Sequence, residues 1–393
     1  MIHGRDIICL STSDWDYPIG SKQQVMSRLA KSNRVLYVEY QTSWLHPLRY
    51  PALRDRWRNS SKLQQVSDGV WTYTPRMSIP FGAYFRKINA LNQAQLGREI
   101  RDVMEKLGFD KPILWFYTPL SQPLVGRLEE SLVVYHCIAE FPEEKPSRLR
   151  QATLTRLEED LVRQAQVVFA IATPLMKKFA PLSENLHLLT NGVDWGLFED
   201  FPSVPTPTEM EGITYPRVGI VGIINYTTDL DLLETLARSK PGWTFVHIGT
   251  VVLPRNEAAR LYSLPNWVSF GRKPQYEVPK YMKGMDVCLV PLSDTTFTRS
   301  ISSLRLMEYL AAGLPTVATD LPDIKAFGDV LFCARGVEEF IQAIEDALND
   351  GSPALVEARR SLARSSSWDS RVETVSEVLE LAMNGREQSL KAV

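Results

Sequence analysis

Residues 299–318 read Arg299-Ser300-Ile301-Ser302-Ser303-Leu304-Arg305-Leu306-Met307-Glu308-Tyr309-Leu310-Ala311-Ala312-Gly313-Leu314-Pro315-Thr316-Val317-Ala318. The run predicts a polar loop, a short helix that contains Glu308, a Gly-Leu-Pro stop and a strand from Thr316. Ser302 and Ser303 are candidate N-caps, so the free N–H groups from Leu304 onward would point at a bound anion. N–H groups and arginine suit a diphosphate, and a carboxylate suits ribose hydroxyls. Together, these residue types indicate a site for a nucleotide sugar.

Three charged side chains in this run have both a structural and a functional interpretation. Glu308 would ordinarily be an exposed helix residue, but apolar neighbours on both sides favour a buried role, and we predict that it binds ribose. Arg305 lies three residues earlier on the same helix face, where it can pair with Glu308 or reach a phosphate. Arg299 either clamps the same anion from the preceding loop or is solvated.

The composition limits the class of protein. The chain has 393 residues, which predicts two domains, and a formal net charge of −2, which argues against general nucleic-acid binding. Its four cysteines include no C-x-x-C pair, so we expect buried thiols in a reducing cytoplasm rather than a zinc site or disulfides. The N-terminus enters a strand directly, which predicts no signal peptide, and no apolar run is long enough to cross a bilayer. We therefore expect a cytoplasmic protein.

The chain contains two series of alternating strands and helices. Between them, residues 191–216 are rich in proline and glycine and are predicted to connect two domains. The apolar runs are nearly continuous, which is typical of parallel strands covered on both faces. The predicted strands are Asp6–Ser11, Arg34–Tyr40, Val70–Thr74, Ile113–Tyr117, Leu132–Ile138, Val167–Ala172 and Leu186–Leu189, then Val218–Ile224, Thr244–Gly249, Val268–Gly271, Val287–Pro291, Thr316–Ala318 and Val330–Cys333. The pattern predicts two doubly wound, Rossmann-like halves that face each other across a cleft, with ligands beyond the carboxyl ends of the strands.

Helices are predicted between these strands from apolar residues at helical spacing. The predicted helices are Lys22–Ala30, Tyr84–Leu107, Ser121–Glu129 and Ser147–Gln164, then Thr228–Arg238, Arg255–Ser263, Glu277–Lys283, Ser303–Ala312, Val337–Asn349, Pro353–Ser365 and Ser367–Met383. Their alternation with the strands predicts right-handed crossovers.

Two further segments of the second half follow predicted strands. Gly271 would let the backbone approach a flat ligand, with Arg272, Lys273 and Pro274 beside a base, although a simple turn is the alternative. Gly222 ends the first strand of this half. One glycine stands where a dinucleotide fingerprint needs three, so the segment argues against a Rossmann dehydrogenase.

The first half offers two comparable segments. Residues 14–22 join a strand to a helix, where Gly20 could admit a phosphate or sugar and Lys22 would add charge. His136 ends another strand and could project toward the cleft, although a lone histidine is more often structural. Neither a Ser-His-Asp arrangement nor a metal-ligand cluster stands out.

Residues 44–58 mix aromatic residues with arginines. Such a surface can lie on an anionic membrane, with rings among the headgroups and arginines on phosphates. The alternatives are an acceptor loop or an arginine-rich helix packed by its alkyl stems.

Four motifs together resemble a known family. Residues 305–317 are similar to the family pattern Lys-x-x-Glu-Tyr-Leu-Ala-x-Gly-x-Pro-Val-Val, and residues 190–194 to an Asn-Gly-Val-Asp turn. Residues 274–281 resemble the base-side loop and helix, and residues 286–292 the Asp-Val-x-Leu-x-Pro strand. On these residues the chain resembles the GT-B glycosyltransferases, and within them the retaining, family 4-like enzymes of teichuronic-acid and polysaccharide biosynthesis.

The resemblance covers nearly the whole chain and implies a domain organisation. An N-terminal Rossmann-like, acceptor-side domain would span residues 1–198, and a nucleotide-sugar domain residues 199–366. Residues 367–393 would form a helix that returns to the N-terminal domain, followed by a tail.

The resemblance also implies roles for individual residues. Glu308 becomes the ribose ligand, and Arg305 with the backbone of residues 301–304 meets the diphosphate and sugar. Together with the readings of the residues themselves, this gives Arg305, Glu308 and His136 as the predicted catalytic residues. The predicted donor-binding residues are Gly20, Gly222, Arg272, Lys273, Pro274, Arg299, Ser302, Ser303 and Leu304.

The chain departs from the family pattern at three places. Ser300 stands where the E-x7-E motif has a carboxylate. Asn225, Asp229 and Asp231 occupy a region where many relatives have an arginine and a lysine. His136 stands where teichuronic-type relatives often have an aspartate, as does Ala139.

The resemblance implies transfer of a sugar from a UDP-sugar or other nucleotide-diphosphate sugar to a lipid-linked or saccharide acceptor, with retention of configuration. The scheme requires no cofactor and no metal. With residues 44–58, we expect a cytoplasmic protein that can associate with the inner face of the plasma membrane. Two alternatives are a nucleotide-sugar epimerase of the same fold, which would act without an acceptor, and a non-catalytic regulator that binds nucleotide sugar.

Overall fold

The computed structural model describes residues 2–16, 20–49, 54–140 and 147–391. Parts of two predicted segments, residues 17–19 beside Gly20 and residues 50–53 within 44–58, lie outside the described residues, as does the end of the tail at 392–393. The chain divides into two compact units, residues 1–190 with 371–393, and residues 191–370.

The first unit contains an eight-stranded sheet. Its strands are β1 (Asp6–Leu10), β2 (Arg34–Val38), β3 (Lys62–Ser67), β4 (Val70–Thr74), β5 (Ile113–Phe116), β6 (Leu132–Cys137), β7 (Val167–Ala170) and β8 (Leu186–Leu188). They follow the order β3-β4-β2-β1-β5-β6-β7-β8. All neighbours pair in parallel except β3 and β4, which are antiparallel. Every residue of β1 is buried, as continuous apolar strands covered on both faces require.

Helices connect the strands of this sheet. They are α1 (Ser21–Leu29), α2 (His46–Arg49), α3 (Asp55–Asn59), α4 (Arg86–Leu107), α5 (Arg148–Gln164) and α6 (Thr173–Phe179). Leu96 and Ile100 of α4 and Leu161 of α5 belong to one core with the sheet. Both long helices bury an apolar stripe, which is the usual way in which a parallel sheet is covered.

The second unit contains a six-stranded, fully parallel sheet. Its strands are β9 (Arg217–Val221), β10 (Thr244–Ile248), β11 (Trp267–Ser269), β12 (Val287–Val290), β13 (Thr316–Thr319) and β14 (Phe332–Ala334). They follow the order β11-β10-β9-β12-β13-β14. The strand order reverses direction at β9, which is where open parallel sheets bind ligands.

Eight helices follow in the second half of the chain. They are α7 (Leu230–Ser239), α8 (Arg255–Tyr262), α9 (Val278–Met282), α10 (Leu304–Ala311), α11 (Pro322–Lys325), α12 (Gly336–Leu348), α13 (Pro353–Ser365) and α14 (Trp368–Lys391). From Arg371 onward, α14 groups with the first unit, where the Arg371 Nη2 donates to the Thr190 Oγ1 at 2.8 Å.

The strand predictions are confirmed, with ends shifted by at most three residues. The helix predicted at Ser121–Glu129 is wrong, because the chain forms a 3-10 helix at Pro119–Leu124 and then turns with a positive φ at Gly126 and Glu129. Pro123 is the fifth residue of the helix that begins at Pro119, and it lacks the N–H that an α-helix would use there. The sequence did not predict the antiparallel strand β3. The first compact unit ends at Thr190, whereas the sequence predicted a domain boundary at residue 198.

Candidate functional site

The start of α10 is fixed by a side-chain cap. The Ser303 Oγ accepts a hydrogen bond from the Leu306 N–H at 3.4 Å. Leu306 and Leu310 are buried on one face of the helix, and the Tyr309 hydroxyl accepts from the Val221 N–H at 2.8 Å. These contacts hold α10 against the end of β9. The N–H groups of its first turn have no acceptor within the helix and carry the positive end of its dipole.

Arg305 lies beside the turn that follows β9. Its Nη2 donates to the Ile223 carbonyl at 2.7 Å, whereas its Nη1 is buried and has no hydrogen-bond partner among the described residues. Gly222 adopts a φ of +100°, and a Cβ at that position would lie 3.5 Å from the Arg305 Nη2. The glycine thus provides both the backbone conformation and the room for the guanidinium group. One donor of Arg305 is anchored, and the other is left for an anion.

Glu308 lies one turn further along α10. Its side chain is partly buried, and its carboxylate accepts no hydrogen bond from any residue that the structure describes. Burial raises the pKa of Glu308 to about 7, although the nearby Arg305 charge opposes the shift. An unpaired, partly buried carboxylate is unfavourable unless something bonds to it. Ligand hydroxyl groups would supply the missing donors.

His247 of β10 is a part of this site that the sequence reading missed. Its Nε2 lies 3.0 Å from the Gly222 carbonyl oxygen, and its Nδ1 lies 3.2 Å from the Ser269 Oγ. Burial lowers the pKa of His247 to about 4, so the ring is neutral at physiological pH and can donate one N–H to Gly222. The signal in the sequence was a histidine inside a strand two residues before a glycine.

Gly249 completes this arrangement. A Cβ there would lie 1.9 Å from the Gly222 oxygen, and Gly249 has a φ of +153°. Any larger residue would collide with the carbonyl that His247 binds. The turn at 222–223 is therefore held from the β10 side by His247 and from the α10 side by Arg305.

The serines before α10 differ in their surroundings. The Ser302 Oγ and carbonyl accept from the Asn191 N–H at 3.2 Å and the Asn191 Nδ2 at 2.7 Å. The Asn191 Oδ1 is buried without a partner among the described residues. Ser300 is 2% exposed, and its Oγ donates to the Thr296 carbonyl at 2.9 Å. The position at which the chain lacks the family's first glutamate is thus a buried structural serine.

Two of the predicted cations have other partners. Arg299 forms a bidentate ion pair with Asp294, with N–O distances of 2.6 and 2.8 Å. The Lys273 Nζ donates to the Glu209 Oε1 at 2.8 Å and lies 4.7 Å from the Tyr281 ring centroid. We therefore correct the prediction that Arg299 and Lys273 are open to a ligand, because opposite charges already neutralise them.

Arg272 and Pro274 remain as predicted candidates. Arg272 is exposed, with no hydrogen bond or ion pair to the described part of the chain. The Pro274 carbonyl accepts from the Glu277 N–H at 2.9 Å, so it closes a turn. Both follow β11 at the carboxyl edge of the second sheet, the same edge at which Gly222 follows β9.

Comparison with known proteins agrees with this geometry. The glycosyl transferases group 1 family matches residues 216–350. The chain contains a glycosyltransferase group 1 domain. This domain includes Gly222, His247, Arg305 and Glu308.

Other known proteins are similar to larger parts of the chain. The chain is 28% identical over 274 residues to the putative teichuronic acid biosynthesis glycosyltransferase TuaH of Bacillus subtilis, covering 65% of this chain and 68% of that protein. Sucrose-phosphate synthase from Thermosynechococcus elongatus has a TM-score of 0.71 at 16% identity, covering 97% of this chain and 100% of that one. The HepE protein of Anabaena, solved in complex with UDP, has a TM-score of 0.66 at 13% identity, covering 96% and 99%. The fold is GT-B.

Outside the group 1 domain, His136 does not have the surroundings of a catalytic residue. It is 1% exposed, with ring centroids of Trp115 at 5.8 Å, Tyr117 at 5.0 Å and Phe169 at 5.8 Å. Burial lowers the pKa of His136 to about 3. The prediction that it is catalytic is therefore corrected to a packing role, because an aromatic core surrounds the ring.

Gly20 precedes α1 as the sequence predicts. Its N–H donates to the Gln23 side chain at 3.2 Å. The Lys22 Nζ donates to the Thr12 Oγ1 at 2.7 Å, and burial lowers the pKa of Lys22 to about 8 although the nearby Cys9 opposes the shift. The role of Gly20 under a donor phosphate remains a prediction.

The acidic residues that replace the family's basic pair also have structural partners. Asp229 caps α7 by accepting from the Leu232 N–H at 2.9 Å. Asp231 pairs with Arg260, and the Asn225 Oδ1 accepts from the Thr227 N–H at 3.0 Å.

Within the described ranges, no group of three or more His, Cys, Asp or Glu residues is arranged to hold a metal ion. None of the described helices is long and apolar enough to span a membrane.

Proposed function

We propose that this glycosyltransferase moves a sugar from a nucleotide-diphosphate sugar to a saccharide or lipid-linked acceptor in polysaccharide assembly, with retention of configuration. The observation that carries the proposal is that the Glu308 carboxylate and the Arg305 Nη1, on one helix, have no hydrogen-bond partner among the described residues. The name of TuaH supports polysaccharide assembly, and the UDP complex of HepE supports a nucleotide-sugar donor.

The proposed roles follow from the chemistry of each group. Arg305 and the first-turn N–H groups of α10 bind the diphosphate and stabilise the charge that develops as it leaves. Glu308 accepts hydrogen bonds from the ribose hydroxyls. The bond between the anomeric carbon and the phosphate oxygen breaks, and a bond to the acceptor oxygen forms on the same face. The departing phosphate oxygen takes the acceptor proton, so this scheme needs no separate enzymic base.

A binding experiment tests the donor half of the proposal. Calorimetry with UDP should detect binding by the wild-type protein, and Arg305→Gln should weaken it by about tenfold or more, because one charged hydrogen-bond donor contributes about 1.5–3 kcal/mol. Unchanged UDP affinity in that variant would reject the assignment. Arg238→Gln, which removes an exposed arginine from α7 in the same unit, is the matched control.

The reaction itself needs a separate measurement. Incubation with a UDP-sugar panel and membrane lipids should give a glycolipid product whose anomeric configuration is read by NMR. Conversion of the donor sugar without any acceptor would instead support an epimerase. UDP-sugar binding with neither reaction would support a regulatory protein.

We also propose a peripheral contact between the first unit and the membrane. Trp44 is 50% exposed and Leu48, in α2, is 62% exposed. Arg56 is not available to lipid phosphates, because it pairs with Asp14 and donates to the Tyr40 carbonyl at 2.6 Å. The supporting observation is therefore the exposed pair Trp44 and Leu48, and Arg54 and Arg58 of the same segment are exposed as well.

A further inference from the structure

Arg360 of α13 binds the C-terminal end of α10. The last four carbonyls of a helix have no partner within it. In α10, the Glu308, Tyr309 and Leu310 carbonyls accept from N–H groups of the turn that follows, at 3.0, 3.1 and 2.9 Å. The Ala311 carbonyl accepts instead from the Arg360 Nη1 at 2.7 Å. A side chain from another helix thus completes the end of the helix that carries Glu308.

The same guanidinium group also binds the first residues of the second unit. We call residues 191–199, with which this unit begins, the entry segment. The Arg360 Nη2 donates to the Phe198 and Glu199 carbonyls, both at 3.0 Å. The Arg360 Cζ lies 5.0 Å from the centroid of the Trp195 ring, within the range of a cation–π contact. Arg360 therefore joins the entry segment to the C-terminal end of α10.

The entry segment is also bonded to the chain just before the other end of α10. The Asn191 Nδ2 donates to the Ser302 carbonyl at 2.7 Å, and the Asn191 N–H donates to the Ser302 Oγ at 3.2 Å. Ser302 immediately precedes Ser303, the N-cap of α10. Asn191 is 5% exposed, and hydrogen bonds are electrostatically stronger away from water. One short segment is thus attached at both ends of this helix.

Apolar side chains of the entry segment lie in one core with α10. Val193 and Phe198 are 1% and 2% exposed and belong to the same buried cluster as Leu306 and Leu310. Close-packed interiors transmit displacements rather than absorb them. Helices shorter than about 12 residues are marginal on their own in water, so α10, with 8 residues, depends on such contacts for its position.

The charge of Arg360 suits its place at this end of the helix. A cation near the C-terminal end of a helix interacts favourably with the helix dipole. Burial lowers the pKa of Arg360, although the nearby Glu357 opposes the shift, and an arginine remains charged at physiological pH. A cation at the last turn and an anion at the first turn stabilise the same dipole. Arg360 and a diphosphate would therefore act on α10 in the same sense.

From these contacts we infer that Asn191 and Arg360 position α10 for the diphosphate, and that the entry segment and the donor site stabilise each other. The inference rests on the proposed function, because it assumes a nucleotide diphosphate at the first turn of α10. Asn191 and Arg360 are positioning residues, since each acts through α10 and not on the ligand. Coupling of this kind is reciprocal, so a ligand at the donor site must stabilise the entry segment.

Hydrogen exchange on the full chain tests the reciprocal effect. The Leu197, Phe198 and Phe201 N–H groups donate to backbone carbonyls of residues 194–198 at 3.1, 2.8 and 3.1 Å, so their exchange reports local opening. Saturating UDP should slow exchange in a peptide covering residues 195–204 by about threefold, and in α10 as well. In Arg360→Gln, saturating UDP should protect α10 alone. Unchanged exchange at 195–204 in the wild type would overturn the inference.

Calorimetry with UDP measures the positioning effect. Arg360→Gln should weaken binding by about tenfold, because it removes charge-assisted hydrogen bonds at both carbonyl sites. Arg360→Lys restores the charge but reaches fewer carbonyls, and it should recover part of the loss. Asn191→Ala should weaken binding by about fivefold, and it serves if Arg360→Gln unfolds, which thermal melting would reveal.

Arg364→Gln is the matched control. It makes the same substitution one turn along α13, at an exposed arginine whose Cζ lies 5.8 Å from the same Trp195 ring. This variant should bind UDP as the wild type does. Equal losses in Arg364→Gln and Arg360→Gln would show that the carbonyl contacts of Arg360 have no special role, and would overturn its assignment.

The outcomes separate this inference from the proposed function. A wild-type protein that binds UDP, with the same affinity in both Arg360→Gln and Asn191→Ala, would overturn the inference and leave the donor site standing. A wild-type protein that binds no UDP would reject the proposed donor and the inference together. Weaker binding in both variants, with loss of protection at 195–204, would support the inference.

Discussion

Glu308 couples nucleotide binding to pH, because the pKa of its carboxyl in the free protein is about 7. Ribose hydroxyls donate to the carboxylate form, so binding should require the ionised group. With a pKa near 7, about one molecule in ten is ionised at pH 6 and about nine in ten at pH 8. We expect the affinity for UDP, measured by calorimetry, to be roughly tenfold lower at pH 6 than at pH 8.

Glu308→Gln separates this effect from the titration of the nucleotide itself. The variant should bind UDP at least tenfold more weakly at pH 8, and its remaining pH dependence should be only that of the phosphate groups. If the wild type and the variant had parallel pH profiles, Glu308 would not be the titrating ligand.

His247 acts through Gly222 rather than by touching a ligand, so it is a positioning residue. His247→Phe removes the N–H that reaches the Gly222 carbonyl and leaves that buried oxygen unpaired, a cost of about 1–3 kcal/mol. We expect the turn at residues 222–223, which Arg305 also binds, to be less firmly fixed. The affinity for UDP, measured by calorimetry, should be lower by about tenfold.

A matched control distinguishes positioning from general packing. Ser269→Ala removes the other hydrogen bond of the His247 ring, at the Nδ1, and should leave UDP affinity within about twofold. His247→Gln, which can still donate to Gly222, should recover part of the loss. Equal losses in His247→Phe and Ser269→Ala would show that the contact with Gly222 has no special role.

At the scale of the element, the position of α10 depends on its N-cap. Ser303→Ala removes the acceptor for the Leu306 N–H and should lower the free energy of unfolding of the second unit by about 1 kcal/mol. Ser303→Asp keeps the acceptor and should retain the stability. Denaturant unfolding followed by circular dichroism measures both, and equal stability of the three proteins would contradict a capping role.

Trp44, two residues before the short helix α2, and Leu48, within it, are the exposed apolar residues proposed to contact the membrane. We expect the double variant Trp44→Ser, Leu48→Ser to lose flotation with anionic liposomes at least severalfold. Each exposed apolar side chain contributes about 1.5–3 kcal/mol when it is buried. Leu381→Ser, at another exposed leucine, is the control and should float as the wild type does. Flotation that the double variant does not change would place the contact elsewhere.

The elements that the sequence predicted well are those with long apolar runs. Buried strands such as β1 and β9 need no context beyond their own residues. The wrong helix at Ser121–Glu129 shows the opposite case, because Pro123 and the turn at Gly126 overrode a helical spacing of apolar residues. The edge strand β3 has mostly exposed residues and therefore no hydrophobic pattern to reveal it.

At the scale of the whole molecule, the first unit is discontinuous in sequence. Residues 371–393 group with residues 1–190, and Val372, Val375 and Leu379 are fully buried. A chain that ends at Ser370 should therefore have a first unit that is less stable by several kcal/mol, since three apolar side chains are lost. Differential scanning calorimetry should show a lowered transition.

The second unit supplies the internal control for this truncation. UDP should still raise the transition of residues 191–370, because Arg305 and Glu308 remain. A truncated chain with an unchanged melting profile would show that the C-terminal segment does not stabilise the first unit.

The sequence by itself determined the two α/β halves, their strands and the position of Glu308 and Arg305 on one helix. These features depend on local periodicity and on spacing within a few residues. Only the tertiary structure decided which charges are available: Arg299 and Lys273 are neutralised by Asp294 and Glu209, and His136 is enclosed by aromatic rings. It also joined His247 to Gly222, a contact between residues on different strands. Pairing and burial depend on residues far apart in the chain, and no local pattern records them.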